Sequence, residues 1–532
     1  MVNTFLGGTA TYFAQRGYAV VTVDVRGTGS SQGTWDSFGR DEQRDGPEVV
    51  RWAAQQDWSS GDVGLFGASY MGLNQIYTAA RRPPALRAIF PIVPMADGFR
   101  DIVFTGGQIN VSFIPLWLGL VTAGSITPIP DSSDPLGALL GTLELLASRV
   151  EGLVDFQLST LLGAATGGDV AFDGSFWAER SPIEVVDRID VPAFVVGGHH
   201  DIFQRGEPLL YERLKRRVPA RLLVGPWTHV NAAAGEGLPR DGVPALNSIA
   251  LRWFDRWLLG ESTGVNQIPR TTQYVLGAER YTTQRDWPAP NLRPRPMFLR
   301  GGGALRRRAP DSVEQRRGFI QHPLSGICTQ STSQWTAGLL EGLPCTTDNR
   351  PNELGEATYT TPPLKRALRL SGPALADLWV STTARDAVLA VRLSEVAPDG
   401  TSRELTSGWL AGSFREIDRS RSRFVAGRLL QPWHPFTRES ATPLEPGRPT
   451  RMQVEVFPTR ANIRPGHRLR VSVGPSDFPH QVPPIPQLAN SLLGQVRIHT
   501  SPEHRSRLVL PELGRCERPC RSLPVPNLRR RG

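Results

Sequence analysis

The chain has 532 residues, of which 39% are apolar and 21% are charged. This composition is typical of a globular protein with two or three domains, and it excludes disorder over most of the chain. No run of about 18 uncharged apolar residues occurs, so the sequence predicts no membrane-spanning segment. The first residues also lack the basic flank, apolar block and cleavage site of an export signal.

The net charge of +10 does not by itself indicate a nucleic-acid partner. Residues 515–532 hold six arginines and one glutamate, so half of the excess lies in one short tail. No stripe of basic and aromatic residues, as nucleic-acid binding needs, is present. We therefore expect no nucleic-acid partner.

Residues 1–96 alternate between helical and strand patterns. Helical spacing extends from Asn3 to Arg16, and the apolar run Ala19 to Val25 is typical of a strand buried on both faces. The pattern continues as helix, strand, helix and strand at residues 44–56, 63–66, from Tyr70, and 88–93. Such alternation predicts a parallel sheet wrapped by helices.

Residues 97–190 change character, because two long helical patterns follow one another with no strand between them. We interpret this part as a helical cap inserted into the first domain. Sheet-type alternation resumes over residues 191–300, which we interpret as the second part of the same α/β domain. Its predicted elements are strands at 192–198 and 221–226, a helix at 207–217 and a closing helix at 245–260.

Short alternating runs such as RALRLSG and HRLRVSVG, punctuated by Gly, Pro and Asp, fill residues 301–514. They predict an all-β sandwich of the jelly-roll kind. The basic tail, residues 515–532, has too little apolar content to pack, and we expect it to be disordered.

The segment Val63–Gly72, VGLFGASYMG, carries the strongest chemical signal. A short strand that runs directly into Gly67-Ala68-Ser69 and then into a helix forces the serine into a sharp, strained turn above the sheet edge. The spacing departs from G-x-S-x-G, because Met71 occupies the second position after Ser69. On this segment alone, a capping serine in a glycine-rich turn is the alternative interpretation.

A nucleophilic serine needs an imidazole that accepts its proton and a carboxylate that orients the imidazole. Asp201 follows the strand 192–198, and His229 follows the strand 221–226. The chain order Ser, Asp, His is that of the α/β-hydrolase arrangement. A satisfied buried histidine is the alternative interpretation of His229.

His199 and His200 lie beside Asp201 and could be imagined as metal ligands with it. Adjacent side chains at the end of a strand point in opposite directions, so the three residues do not easily close on one ion. We therefore expect no metal.

Three segments, GASYMG (67–72), HHDIFQRG (199–206) and GPWTH (225–229), resemble one family of serine hydrolases. This family contains cocaine esterase, X-prolyl dipeptidyl aminopeptidases, glutaryl acylases and α-amino-acid ester hydrolases. The resemblance covers about residues 4–510, including RGYAVVTVDVRGTGSSQG before the serine. It implies an α/β-hydrolase domain with a helical cap and a C-terminal jelly roll, and an acyl-enzyme mechanism that needs no cofactor.

The resemblance also implies roles for individual residues: Ser69 as nucleophile, Asp201 as acid, His229 as base, and the backbone N–H of Tyr70 as an oxyanion donor. Phe203 matches a residue that lines the acyl pocket, and packing under its loop is the alternative interpretation. Family members carry a second oxyanion donor, a tyrosine near the N-terminus, that no residue here matches. We therefore expect that the chain begins too late and lacks the N-terminal strands of the hydrolase domain. The missing segment could also have held an export signal.

Taken together, the sequence predicts a serine hydrolase that acts on a small-molecule ester, amide or peptide. One alternative is an X-Pro dipeptidyl-peptidase or acylase of the same family, which needs an acidic group to hold a free amine. The other is an impaired hydrolase that serves as a carbohydrate-binding or other ligand-binding protein. The pattern predicts no particular oligomeric state.

Cys328 and Cys345 lie 17 residues apart in a polar loop between the hydrolase domain and the sandwich. We predict a disulfide between them, which would limit the freedom of the loop and place the protein outside the cytosol. Two free, buried thiols are the alternative. Cys516 and Cys520, in the basic tail, either pair with each other or are reactive thiols.

Overall fold

The computed structural model describes residues 9–125, 134–235 and 245–514. Helices and strands alternate in the N-terminal half. The strands there are β1 (Val63–Ala68), β2 (Leu86–Ile92), β3 (Ile109–Asn110), β4 (Ala193–His200), β5 (Ala220–Thr228), β6 (Thr271–Val275) and β7 (Arg280–Gln284). The α-helices there are α1 (Thr9–Ala14), α2 (Arg40–Ala54), α3 (Tyr70–Ala80), α4 (Phe113–Ser125), α5 (Pro135–Gly152), α6 (Ser159–Thr166), α7 (Ser175–Glu179), α8 (Gly206–Leu214), α9 (His229–Ala233) and α10 (Leu246–Trp257).

Six of these strands form one sheet in the order β1-β2-β4-β5-β6-β7. The first five run parallel and β7 is antiparallel to β6. Helices cover both faces: Trp253 and Phe254 of α10 pack on one, and Ile76 of α3 and Leu210 of α8 on the other. Strand β4 is buried on both sides because its sequence is apolar at every position from Ala193 to Gly198. The predicted α/β domain is confirmed.

Residues 19–25, predicted as a buried strand, do not form one. No described residue pairs with this segment as a strand, and Val20, Val21 and Val23 are 43%, 40% and 49% exposed. A strand requires a neighbour that accepts and donates its backbone hydrogen bonds. Among the described strands β1 is an edge, paired with β2 alone, so this apolar run remains at the surface and its prediction was wrong.

Residues 97–190 are largely helical, as their pattern predicts. Helix α5 continues through a π-helical turn at Leu153–Leu158 into α6. The short strand β3 is not indicated by the sequence, because two residues show no periodicity. It pairs antiparallel with Gln481–Val482, so it ties the cap to the C-terminal domain.

The C-terminal part is a β-sandwich, as predicted. Its eleven-stranded sheet encloses a large hydrophobic core, which includes Leu370, Val391 and Val454. The strands of this part are β8 (Leu292–Arg300), β9 (Ala304–Arg306), β10 (Arg317–Ile320), β11 (Ala357–Thr360), β12 (Leu368–Thr382), β13 (Val388–Val396), β14 (Ser402–Ala411), β15 (Arg423–Val425), β16 (Arg428–Gln431), β17 (Thr450–Ile463), β18 (Arg468–Gly474), β19 (Gln481–Val482), β20 (Gln495–Ile498) and β21 (Arg507–Leu513).

Two details of this part differ from the sequence pattern. Strand β8 pairs with β21 and β9, so the sandwich already includes residues 292–300, before the expected boundary at 301. Short helices also occur between the strands: α11 (Gln330–Trp335), α12 (Arg350–Glu353) and α13 (Ile485–Ser491).

No helix within the described ranges is long and apolar enough to cross a membrane. The basic tail lies outside the described residues.

Candidate active site

Ser69 lies in a strained turn between β1 and α3. Its φ and ψ are +56° and −123°, a conformation that a non-glycine residue adopts only when its surroundings enforce it. The Ser69 N–H donates to the Ile92 carbonyl oxygen of β2 at 2.9 Å, which is one such constraint. A Cβ on Gly67 would lie 2.6 Å from Met71 Cβ, and one on Gly72 would lie 2.8 Å from the Ile92 carbonyl oxygen. Both glycines are therefore needed sterically, which explains the unusual spacing around Ser69.

The structure brings Ser69, His229 and Asp201 together in one hydrogen-bonded chain. The Ser69 Oγ lies 2.8 Å from His229 Nε2, and His229 Nδ1 lies 2.6 Å from Asp201 Oδ2. Because an ionised carboxylate only accepts, Nδ1 carries the imidazole proton and Nε2 is free to accept from the serine hydroxyl. His229 and Asp201 are both buried, and they meet because β4 and β5 are adjacent parallel strands.

The acid is held from several directions. Its second oxygen, Asp201 Oδ1, accepts from the Phe203 N–H at 2.6 Å, and its main-chain carbonyl oxygen accepts from Gln334 Nε2 at 2.7 Å. The carboxyl of Glu207 is buried beside Asp201, and burial together with the negative charge of Asp201 raises the pKa of Glu207 well above its usual range. Both effects favour the protonated form of Glu207. Neither Gln334 nor Glu207 is indicated by the sequence pattern.

The two histidines before the acid do not converge with it. His199 Nε2 donates to the Tyr274 carbonyl oxygen at 2.8 Å, and burial lowers the pKa of His199 to about 3. Burial also lowers the pKa of His200 to about 4, so both rings are neutral. Among the residues that the structure describes, no group of three or more His, Cys, Asp or Glu could hold a metal ion.

Tyr70 follows the serine as the first residue of α3, so its N–H has no acceptor within the helix. Its side chain is fixed: the hydroxyl donates to Glu42 Oε2 at 2.6 Å and accepts from Trp35 Nε1 at 2.9 Å, and the ring stacks on Phe38 at 4.1 Å. Burial raises the pKa of Glu42 to about 7. Because the Tyr70 N–H has no acceptor within the helix, it is available beside Ser69 for an oxyanion.

A cavity of about 110 Å³ opens onto Ser69. Aromatic side chains from the cap form much of its wall, among them Phe113, Trp117, Phe156 and Trp177. Phe203 also lines it, and the Phe203 ring stands edge-on to His229 with 5.2 Å between ring centroids. Phe203 therefore both packs against His229 and borders the cavity, which is consistent with a packing role and with a role in lining an acyl pocket.

The lining of this cavity contains no aspartate or glutamate among the described residues. Its one charged member, Arg180, lies over the Phe176 ring at 4.0 Å and donates to the Asp36 carbonyl oxygen at 3.2 Å. The space beside Ser69 is therefore predominantly apolar, and its described lining offers no carboxylate to a cationic group.

Cys328 is disulfide-bonded, and no free cysteine occurs among the described residues. The side chain of Cys345, its expected partner, and the whole of Cys516 and Cys520 lie outside the described part of the structure. The pairing of Cys328 with Cys345 stays a prediction.

The hydrolase sheet and its hydrogen-bonded serine, histidine and aspartate define a serine hydrolase. Residues 4–231 match the family model described as X-Pro dipeptidyl-peptidase (S15 family). Residues 263–509 match the X-Pro dipeptidyl-peptidase C-terminal non-catalytic domain. The chain belongs to the peptidase S15 family of serine hydrolases.

One similar protein is the cocaine esterase of Rhodococcus sp. (strain MB1 Bresler), which is 27% identical over 542 residues, 94% of this chain and 89% of that protein. Among solved structures, an aminopeptidase from the marine sediment archaeon Thaumarchaeota archaeon has a TM-score of 0.74 at 21% identity, covering 96% of this chain and 87% of its own. An α-amino acid ester hydrolase has a TM-score of 0.72 at 21% identity, covering 95% and 87%. These structures share the fold of this chain.

Proposed function

We propose that this chain is a serine esterase that hydrolyses esters with an apolar acyl group, with Ser69, His229 and Asp201 as its catalytic triad. The single observation that carries the proposal is the 2.8 Å contact between Ser69 Oγ and His229 Nε2 at the edge of an apolar cavity. A serine in that position is paired with a base and faces an apolar space that can bury an acyl group.

The geometry supports the following reaction. Ser69 Oγ attacks the acyl carbon while His229 Nε2 takes the serine proton, and Asp201 stabilises the imidazolium through Nδ1. The N–H of Tyr70 donates to the oxyanion of the tetrahedral intermediate, an interaction typically worth about 3 to 4 kcal/mol. His229 then protonates the leaving alcohol. In the second half, His229 takes a proton from water, which attacks the acyl carbon, and returns that proton to Ser69 Oγ as the acid product leaves.

In this proposal the cap, residues 97–190, supplies the acyl pocket. Its aromatic side chains give a large apolar surface on which an aliphatic or aromatic acyl group is buried. Phe203 would border the same group from the acid turn.

The second candidate function is an X-Pro dipeptidyl-peptidase, which the description of the matching family model favours. Such an enzyme must hold a protonated N-terminal amine near the scissile bond, and a buried cation needs a carboxylate partner. The described lining of the cavity provides none. This observation and the likeness to an esterase over 94% of the chain favour ester hydrolysis.

The proposal is tested by comparing p-nitrophenyl acetate, butyrate and benzoate with alanyl-prolyl-p-nitroanilide. We expect kcat/KM to be at least about a hundredfold higher for the esters, because an amine left unpaired in the apolar cavity is strongly unfavourable. A fluorophosphonate probe should label the wild type at Ser69.

Ser69→Ala should abolish ester turnover and labelling while the protein remains folded, since the hydroxyl is lost but the turn is kept. Ser30→Ala, at an exposed serine, is the matched control and should keep full turnover. Turnover above a few per cent in purified Ser69→Ala would refute the triad. A preference for the prolyl anilide would favour the peptidase.

A further inference from the structure

The C-terminal sandwich reaches the triad through residues 329–341, which we call the inter-domain segment. One side of this segment is anchored in the sandwich. Trp335, fully buried at the end of α11, stacks on the His480 ring with 3.6 Å between centroids and 8° between planes. The Trp335 and Trp409 rings pack in a T-shaped arrangement with 5.6 Å between their centroids. The Ser331 hydroxyl donates to the Asp477 carboxylate. The segment is therefore held in place by side chains of the sandwich.

The other side of the inter-domain segment contacts the acid turn. Gln334 is 3% exposed, and its Nε2 donates both to the Asp201 carbonyl oxygen at 2.7 Å and to Gln204 Oε1 at 3.0 Å. Gln204 in turn donates to the Pro458 carbonyl oxygen at 2.8 Å. The main chain of the acid is thus fixed by a side chain that lies 133 residues away in the sequence.

The same segment also contacts the residues on both sides of the base. The N–H of Val230, directly after His229, donates to the Ala337 carbonyl oxygen at 3.0 Å. Gly338 has a φ of +94°, and a Cβ there would lie 2.4 Å from Thr228 Oγ1, directly before His229. This close approach leaves the base little room to move away from the acid.

We propose that Gln334 is a positioning residue, through which the C-terminal domain sets the geometry between Asp201 and His229. The inference rests on the proposed function, because it assigns Gln334 a part in the same triad. The Asp201 side chain can reach His229 Nδ1 at 2.6 Å only if its main chain is correctly placed, and Gln334 provides the side-chain hydrogen bond to that main-chain oxygen. Misplacement of a catalytic group by about 1 Å costs up to a hundredfold in rate.

Two substitutions separate positioning from general stability. Gln334→Leu removes the donor at nearly the same size, and Gln334→Met keeps the unbranched shape of the side chain but has no N–H donor. Thr332→Val is the matched control. It removes a part-buried hydrogen bond of the same segment, from Thr332 Oγ1 to the Ile327 carbonyl oxygen just before it at 2.9 Å, that does not reach the triad.

We expect kcat for p-nitrophenyl esters to fall about ten- to a hundredfold in both Gln334 variants, with KM changed less than about twofold. Thr332→Val should keep its kcat within about twofold. The proton NMR resonance of the His229 Nδ1–H, strongly deshielded by its bond to Asp201, should move or broaden in the Gln334 variants alone. If Gln334→Leu does not fold, Gln334→Met is measured in the same way.

Wild-type kcat and an unmoved Nδ1–H resonance in a folded Gln334 variant would overturn the positioning role. An equal loss of kcat in Thr332→Val would overturn it as well, because the effect would then be general. The NMR resonance does not depend on turnover, so the positioning role is tested even if the protein hydrolyses no ester. The proposed function fails in a different experiment: if Ser69→Ala keeps the ester turnover of the wild type, the triad is refuted whatever the Gln334 variants show.

Discussion

Replacing Glu42 by glutamine is expected to change how the stability of the protein depends on pH. The Glu42 side chain is buried beneath Tyr70, where Oε2 accepts from the Tyr70 hydroxyl at 2.6 Å and from the Phe38 N–H at 2.8 Å. Burial outweighs these hydrogen bonds and raises the pKa of Glu42 from 4.5 to about 7. The folded protein therefore prefers the protonated carboxyl more strongly than the unfolded chain does.

The sign of the effect follows from the raised pKa. The contribution of Glu42 to stability is fully present below pH 4.5, and it is lost as the pH rises through about 7. With these two pKa values, the loss in free energy of unfolding between pH 5 and pH 8 is about 2 to 3 kcal/mol. Glutamine does not titrate and keeps a carbonyl acceptor for Tyr70. Other buried acids, such as Glu404 with a pKa of about 7, titrate in both proteins and cancel in the comparison.

The assay is differential scanning calorimetry of the wild type and Glu42→Gln at pH 5 and pH 8. The unfolding temperature of the wild type should fall more than that of the variant between these pH values, by about 2 to 3 °C for a loss of this size in a chain of this length. Glu48→Gln, in the same helix but with a side chain that is 63% exposed, is the matched control and should behave like the wild type. Equal falls for the wild type and Glu42→Gln would show that burial does not hold Glu42 protonated.

Three further outcomes are expected. Non-reducing peptide mapping should recover Cys328 linked to Cys345, and reduction should lower stability by about 3 kcal/mol; native protein in which both thiols are alkylated would contradict the pairing. Gly72→Ala should destabilise the protein by about 1 to 3 kcal/mol and lower kcat, because its Cβ would lie 2.8 Å from a main-chain oxygen of β2; unchanged melting and turnover would count against this constraint. Phe203→Ala should raise KM for the benzoate ester more than for the acetate if the ring borders the acyl group; equal effects on both esters would leave Phe203 only its packing against the base.

Much of the candidate site could be predicted from sequence because its determinants are local. A strand that leads into Gly67-Ala68-Ser69 and then into a helix specifies the nucleophile turn within ten residues. Asp201 and His229 each come directly after a buried strand, and the carboxyl ends of parallel strands meet at one edge of a sheet. The order of the three residues along the chain therefore predicts that they lie close together, as the structure shows.

The alternation of elements, the β-rich C-terminal part and the three residues of the proposed triad can all be predicted from the sequence. Whether residues 19–25 have a strand partner, and where β8 pairs, follows only from the folded arrangement. The tertiary structure also decided that Gln334 holds the acid turn and that the cap lines the cavity with aromatic rings. The physical reason is that periodicity along the chain reports which side of a segment is apolar. Backbone pairing, close approach and long-range hydrogen bonds depend on what folding places opposite that segment.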